Sequence, residues 1–165
     1  MTTPTTHDHW IDPYEKAWMV ISVVVLIGIM IAVTVAGFAF GIQAPSPYQR
    51  VDPNTVTQSG PFSKPGLTDL GGGQYEVYMI GTASGWIWEP KEIRVPVGSR
   101  VTFYLTSKDV QHGFMLWNTN LNMMVLPGQV SKGSVTFEKP GEYPYVCHEY
   151  CGIGHQTMSG KVIVE

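Results

Sequence analysis

The chain has 165 residues, 44% hydrophobic and only 14% charged, with a formal net charge of −3. That length accommodates one modest domain plus an additional segment, and the shortage of charge points to a membrane segment rather than to disorder. The slightly acidic balance argues against a nucleic-acid partner, which basic patches would recruit.

Residues 1–16 read as a short N-terminal segment on the cytoplasmic side. Asp8, Asp12 and Glu15 stand there against Lys16, and His7 and His9 are read as solvated tail residues. From Ala17 to Ile42 no residue is charged, which predicts a transmembrane helix over 17–42. At about 1.5 Å per residue this stretch reaches roughly 39 Å, beyond the roughly 30 Å of a hydrocarbon core, so it can span with some tilt. A cleaved signal peptide would have a shorter apolar region behind a basic leader, so a retained anchor is the better reading. Gly28, Ala32 and Ala36 fall on one helix face, with Val33, Gly37 and Gly41 on a neighbouring row. Such spacing admits a second membrane helix at close range, although small residues are common in membrane helices anyway. Lys16 and Arg50 barely discriminate orientation. The N-terminus is placed inside because the metal-binding region needs a partner outside.

Residues 43–73 carry successive breakers: Ala44-Pro45-Ser46-Pro47, Asp52-Pro53-Asn54, Gly60-Pro61, Lys64-Pro65-Gly66 and Gly71-Gly72-Gly73. They predict a linker lying over a domain surface. Residues 74–165 alternate in the manner of strands, at Tyr75, Val77 and Met79, at Val101, Phe103 and Leu105, at Val135 and Phe137, and at Val162 and Val164. Gly/Pro turns separate these runs, which predicts a mainly β fold, a small sandwich or barrel. From Gln43 onward, 9 Lys and Arg face 10 Asp and Glu, so strong electrostatic steering is not implied.

The chemistry concentrates in Cys147-His148-Glu149-Tyr150-Cys151-Gly152-Ile153-Gly154-His155-Gln156-Thr157-Met158, with Asp109-Val110-Gln111-His112-Gly113-Phe114 upstream. Thiolate and thioether donors with imidazole select copper over hard cations. A mononuclear blue-copper site needs one Cys, and a second in the same loop lets two thiolates bridge two copper ions. His112 and His155 then supply one imidazole to each, with Met158 and a backbone carbonyl near Glu149 as weak donors. Gly152 and Gly154 let the loop fold back. Tyr143 to Cys147 reads as an edge of the sandwich. A Cys147–Cys151 disulfide would leave His112, His155 and Met158 unexplained. Zinc has the wrong spacing and would not use Met, and a catalytic Cys–His pair needs neither the second thiol nor the thioether. His148 reads as exposed or as a support to the donors.

The pattern Cys147-x-Glu149-x-Cys151-Gly-x-x-His155-x-x-Met158, with His112 upstream, resembles the CuA motif of the cytochrome c oxidase subunit II family. The resemblance implies a cupredoxin-like Greek-key β-sandwich behind one N-terminal transmembrane helix. It implies a dinuclear copper cofactor with Cys147 and Cys151 bridging, His112 and His155 terminal, and Met158 and the Glu149 carbonyl as weak ligands. One anchor helix, Tyr14-Glu15-Lys16-x-Trp18, Arg50-Val51-Asp52-Pro53 and Asp109-Val110-x-His112-Gly113-Phe114 resemble the B-family, ba-type oxidases over nearly the whole chain. In that group a Glu matching Glu15 stands at the mouth of the proton-uptake channel; its bland alternative is a charge placed favourably in the first helical turn. Trp86 and Trp88 match the aromatic segment near the electron-accepting patch, and alternation puts both rings on one side of an extended segment. In the larger A-family a Glu at this position offers its side chain to a magnesium ion, whereas ba-type relatives carry Gln, so Glu149 leaves a magnesium site open and unsupported.

The resemblance thus implies a subunit of a cytochrome c oxidase with its copper domain on the extracytoplasmic face. It would accept electrons from cytochrome c or a small copper protein and pass them to haem in a polytopic subunit I. There oxygen is reduced to water with proton translocation. The alternatives are a membrane-tethered CuA carrier serving another terminal reductase and a copper chaperone. The helix face and Glu15 disfavour the first, and the closed loop disfavours the second.

Overall fold

The computed structural model describes residues 11–40 and 47–165. His7, His9, Gly41, Ile42 and the first residues of the expected linker lie outside them. The chain divides into two units, residues 1–45 and 46–165.

The first unit contains helix α1 (Pro13–Phe40). It starts ahead of the charge-free run because its cap lies in the polar segment. The Asp12 carboxylate accepts the Tyr14 amide at 2.8 Å, and the Asp12 carbonyl accepts the Lys16 amide at 2.9 Å. Pro13 occupies the first helical position, where its missing N–H costs nothing, and Glu15 sits in the first turn near the positive end of the helix dipole. At 28 residues the helix is about 42 Å long. Its apolar side chains are largely exposed, as suits a helix that lies in lipid or against other helices. The Thr34 hydroxyl bonds back to the Met30 carbonyl at 2.7 Å, so this polar group is satisfied within the helix.

The second unit is a sandwich of eleven strands: β1 (Gln49–Arg50), β2 (Gly66–Gly71), β3 (Gln74–Thr82), β4 (Ile87–Glu89), β5 (Glu92–Val95), β6 (Arg100–Ser107), β7 (His112–Leu116), β8 (Asn122–Val125), β9 (Gln129–Thr136), β10 (Gly141–Cys147) and β11 (Ser159–Val164). One sheet runs β1-β9-β6-β3-β2, with β4 also paired to β3; the other runs β5-β11-β10-β7-β8. The β3/β6 and β5/β11 pairs are parallel and the rest antiparallel. The inward residues of the alternating runs meet between the sheets. Val77, Met79, Val101, Phe103, Leu105, Phe137, Val162 and Val164 are all at most 2% exposed, joined by Phe114, Leu116 and Tyr145. Burying a side chain of this size contributes about 1.5–3 kcal/mol against an exposed reference.

Two expectations need correction. Residues 43–73 are not only a linker, because β1 and β2 fall within them and Val56 and Phe62 are buried. These two side chains cover the outer face of β6 and pack in a second cluster with Ile80, Tyr104 and Val130. Hence Tyr104 and Thr106, which alternation sends outward, are buried as well. The stretch Tyr143–Cys147 is not an edge either. Its strand β10 lies between β11 and β7, and Tyr145 is fully buried there.

That central placement creates the site. Cys147, the last residue of β10, is paired with Phe114 of β7. His112 lies two residues before Phe114, and side chains two apart on a strand share a face. His112 and Cys147 therefore both point into the sandwich at the same end of the sheet.

Candidate metal centre

Six donor atoms converge at this end. The Cys147 and Cys151 sulfurs are 3.7 Å apart, and both residues are free thiols. The Cys147 sulfur lies 3.9 Å from His112 Nδ1, and the Cys151 sulfur lies 3.6 Å from His155 Nδ1. Met158 Sδ is 3.8 Å from the Cys151 sulfur, and the Cys147 thiol donates to the Glu149 carbonyl at 3.3 Å. Each thiol thus has its own imidazole. His112 is fully buried, and Cys147, Cys151 and Met158 are 7%, 5% and 1% exposed. Soft donors in a water-poor pocket, with two sulfurs too far apart for a disulfide and close enough to share metal ions, fit a pair of copper ions.

The loop folds this way for local reasons. The Cys147 amide donates to the Met158 carbonyl at 2.9 Å and closes the loop at its neck. Gly152 has φ +120°, a conformation open to glycine. The His155 amide bonds the Gly152 carbonyl at 3.1 Å, and a short 3₁₀ turn, His155–Thr157, brings Met158 back under the thiols. On the strand side, His112 is packed by the edges of aromatic rings. The Trp88 ring lies 5.7 Å from it and in turn meets Phe114 at 5.4 Å. Gly81 gives both rings room, because a Cβ there would come within 2.8 Å of Trp88 and 3.0 Å of His112.

Asp109 has a role that its place in the sequence motif did not by itself assign. One carboxylate oxygen accepts the Thr82 hydroxyl at 2.9 Å and the Ala83 amide at 2.7 Å, and the other lies 3.2 Å from His112 Nε2. A carboxylate on the far nitrogen of an imidazole fixes the ring's tautomer and leaves Nδ1 free to donate its lone pair inward. Burial pushes the pKa of Asp109 up, but donation from Val110, Thr82, Ala83 and His112 outweighs it and holds this carboxyl below its ordinary value. The available signal was an Asp three residues before a strand-start His.

The two thiols are inequivalent. Burial pushes Cys147 up, but hydrogen bonds from His112, from the backbone of Gly113 and Glu149 and from Cys151 overcome it and bring the thiol down to about 6. Cys151 is pushed up to about 12, first by burial and then by its bond to Cys147 and the charge that Cys147 carries. One thiolate is therefore ready at neutral pH, and an arriving cation has to expel the second proton.

Trp86 and Trp88 do not share a side of an extended segment. Trp88 is in β4 and is 1% exposed, whereas Trp86 stands in the preceding turn with φ +50° and is half-buried. Trp86 Nε1 donates to the Cys151 carbonyl at 3.3 Å. The Glu149 carboxylate has Gln111 Nε2 at 3.5 Å and His148 Nδ1 at 3.6 Å. His148 lies with its ring on Gly113, outside the donor set. Glu15 is exposed in the first turn of α1, in the other unit.

Comparison with known proteins gives the same direction at three levels. The sequence model of the family described as cytochrome C oxidase subunit II, periplasmic domain, matches residues 75–165. A cytochrome c oxidase subunit 2 of Thermus thermophilus is 42% identical over 156 residues, covering 92% of each chain. Among solved structures, a chain in a cryo-EM heme-copper terminal oxidase dimer is similar with a TM-score of 0.67 and 34% identity, over 92% of this chain and 99% of that one. The periplasmic domain of subunit II from Bradyrhizobium japonicum is similar in fold, with a TM-score of 0.50 and 22% identity over 55% of this chain and 83% of that one.

Proposed function

Because this chain belongs to the cytochrome c oxidase subunit II family, we propose that Cys147, Cys151, His112, His155, Met158 and the Glu149 carbonyl hold the dinuclear copper through which it passes electrons. The protein is a component of a haem–copper oxidase, an oxidoreductase, and it carries a CuA-like Cys/His site on a cupredoxin-like sandwich behind an apolar N-terminal helix. The observation that carries the ligand assignment is the pair of free thiols 3.7 Å apart, each with an imidazole nitrogen within 3.9 Å. When bound, the metal pair supplies a one-electron couple.

The residues around it do the rest. The Cys147 and Cys151 thiolates would hold the metal pair, and the ends of β7 and β10 fix His112 and Cys147 in place, which would limit rearrangement when charge changes. Asp109 keeps His112 oriented, and the core rings of Trp88 and Phe114 keep water from the buried side. Trp86 is the electron-intake residue in this reading. It is half-buried, bonded to the Cys151 carbonyl, and next to exposed Ile87 and to the loop that presents Tyr150 and Ile153. This apolar rim suits a donor with an apolar contact face, a cytochrome c or a small copper protein.

The finer placement is the B-family, ba-type group. Support comes from the single described apolar helix, from the Tyr14-Glu15-Lys16-x-Trp18 segment at its start, and from the match over 92% of both chains with the Thermus protein. In this placement α1 packs against the polytopic haem-bearing subunit I, the copper domain stands on the outer side of the membrane, and Glu15 lies at a proton-uptake mouth. Similarity that includes the helix favours an oxidase subunit over a tethered carrier for another reductase.

The test is haem reduction in the purified complex. With wild-type chain, reduced cytochrome c should reduce the haem of subunit I. With Cys151→Ser the complex should assemble, yet this reduction should fall by orders of magnitude. Unimpaired haem reduction in the variant would refute the assignment.

A further inference from the structure

The donor atoms come from two pieces of chain, the start of β7 and the loop from Cys147 to Met158. A third piece, the turn that joins β3 to β4, touches both. We propose that Thr82–Trp86 is a latch that governs how fast copper enters and leaves the centre, with Trp86 as its positioning residue. This inference rests on the dinuclear reading of the site.

One arm of the latch reaches the strand side. The Thr82 hydroxyl and the Ala83 amide hold one oxygen of the Asp109 carboxylate at 2.9 and 2.7 Å, and its other oxygen faces His112 Nε2 at 3.2 Å. The other arm reaches the loop side. Trp86 Nε1 donates to the Cys151 carbonyl at 3.3 Å. The indole also occupies the space that side chains on the loop would need. A Cβ on Gly152 would stand 3.1 Å from Nε1, and a Cβ on Gly154 would stand 2.8 Å from the indole Cγ and collide with its six-membered ring. Gly154 has no positive φ to explain it, so its missing side chain is room for Trp86.

The backbone of Trp86 supports the same conclusion. At φ +50° it lies in the left-handed region, which a bulky aromatic residue rarely adopts. Such a conformation persists where the surroundings fix it, and it is concentrated at functional positions. Here the fixing contacts are those to Cys151, Gly152 and Gly154. His112 on one arm and Cys151 with His155 on the other cannot move apart while both arms hold. Release of the metal therefore requires the turn to lift, and so does its arrival.

The experiment uses the full-length chain in detergent, loaded with copper and then challenged with a copper chelator. Release is followed together with the paramagnetic hyperfine pattern. Trp86→Ala removes the indole. Gly154→Ala keeps the indole and denies it its place. Trp86→Phe keeps one aromatic ring and loses the N–H with the second ring. Trp117→Ala removes an exposed Trp directly after β7 as a control. Removing supports of metal ligands typically changes metal binding about 10–100-fold, so Trp86→Ala and Gly154→Ala should each release copper at least about tenfold faster than wild type. Both should alter the hyperfine pattern in the same sense, with Trp86→Phe between them and wild type and Trp117→Ala at wild type. Wild-type release rates and patterns in both Trp86→Ala and Gly154→Ala would overturn the latch. A wild-type chain holding a single copper would instead sink the dinuclear reading beneath it.

Discussion

At the scale of the residue, the two cysteines differ although their sequence contexts look symmetrical. Hydrogen-bond donors outweigh burial at Cys147 and bring it down to about 6, whereas burial and then the neighbouring Cys147 push Cys151 up to about 12. In the metal-free chain, ultraviolet thiolate absorbance should therefore rise with pH by one thiolate near pH 6. The second should appear only in strongly alkaline solution, and Cys147→Ser should remove the first step. Two thiols that titrate together in the ordinary range, about 8.5, would contradict this asymmetry. That Cys147, Cys151, His112, His155 and Met158 gather at one place was legible in the sequence, because soft side chains at fixed spacing have few other uses. Their inequivalence was not legible, since it arises from the Gly113 backbone and from His112, which lie on another strand. The tryptophans show the same limit. Alternation assumed an extended backbone from Trp86 to Trp88, and the left-handed turn at Trp86 sends one ring to the loop surface and the other to the core.

At the scale of the element, strand β10 carries the site because it is central. It is flanked by β7, which brings His112, and by β11, which begins directly after Met158. The close fit between β10 and β11 depends on Gly160, opposite Tyr145. A Cβ at Gly160 would collide with the Tyr145 ring and with the Lys91 carbonyl, and the Tyr145 hydroxyl is itself tied to the Pro90 carbonyl at 2.7 Å. Neither neighbour can yield cheaply. Gly160→Ala should cost about 1–3 kcal/mol or more of domain stability in denaturant unfolding, as overpacked cores do. A change within about 0.5 kcal/mol, typical of a surface substitution, would show that the neighbours relax. The alternating strands from Tyr75 onward were readable because their inward residues repeat every second position. Strands β1 and β2 were hidden among Pro and Gly, and the burial of Tyr104 on the far face of β6 follows from a segment that is remote in sequence, Val56 to Phe62.

At the scale of the whole molecule, composition separated an apolar helix from a near-neutral β domain, and the loop motif named the chemistry of that domain. The helix satisfies its own backbone and presents an apolar surface, so it has the character of an anchor. The sandwich supplies the rigidity that an electron relay needs, because His112 and Cys147 sit at the ends of strands paired on both sides and the loop with the other donors is closed at its neck between β10 and β11. Membership of the subunit II family joins these parts to a haem-bearing partner. The central claim is that two sulfurs hold two copper ions as one redox unit. Its most direct measurement is copper content together with the paramagnetic resonance spectrum of the full-length chain in detergent. Two copper ions per chain, with one unpaired electron split by both nuclei, is the predicted result. One copper per chain with the simpler splitting of a single nucleus would contradict it.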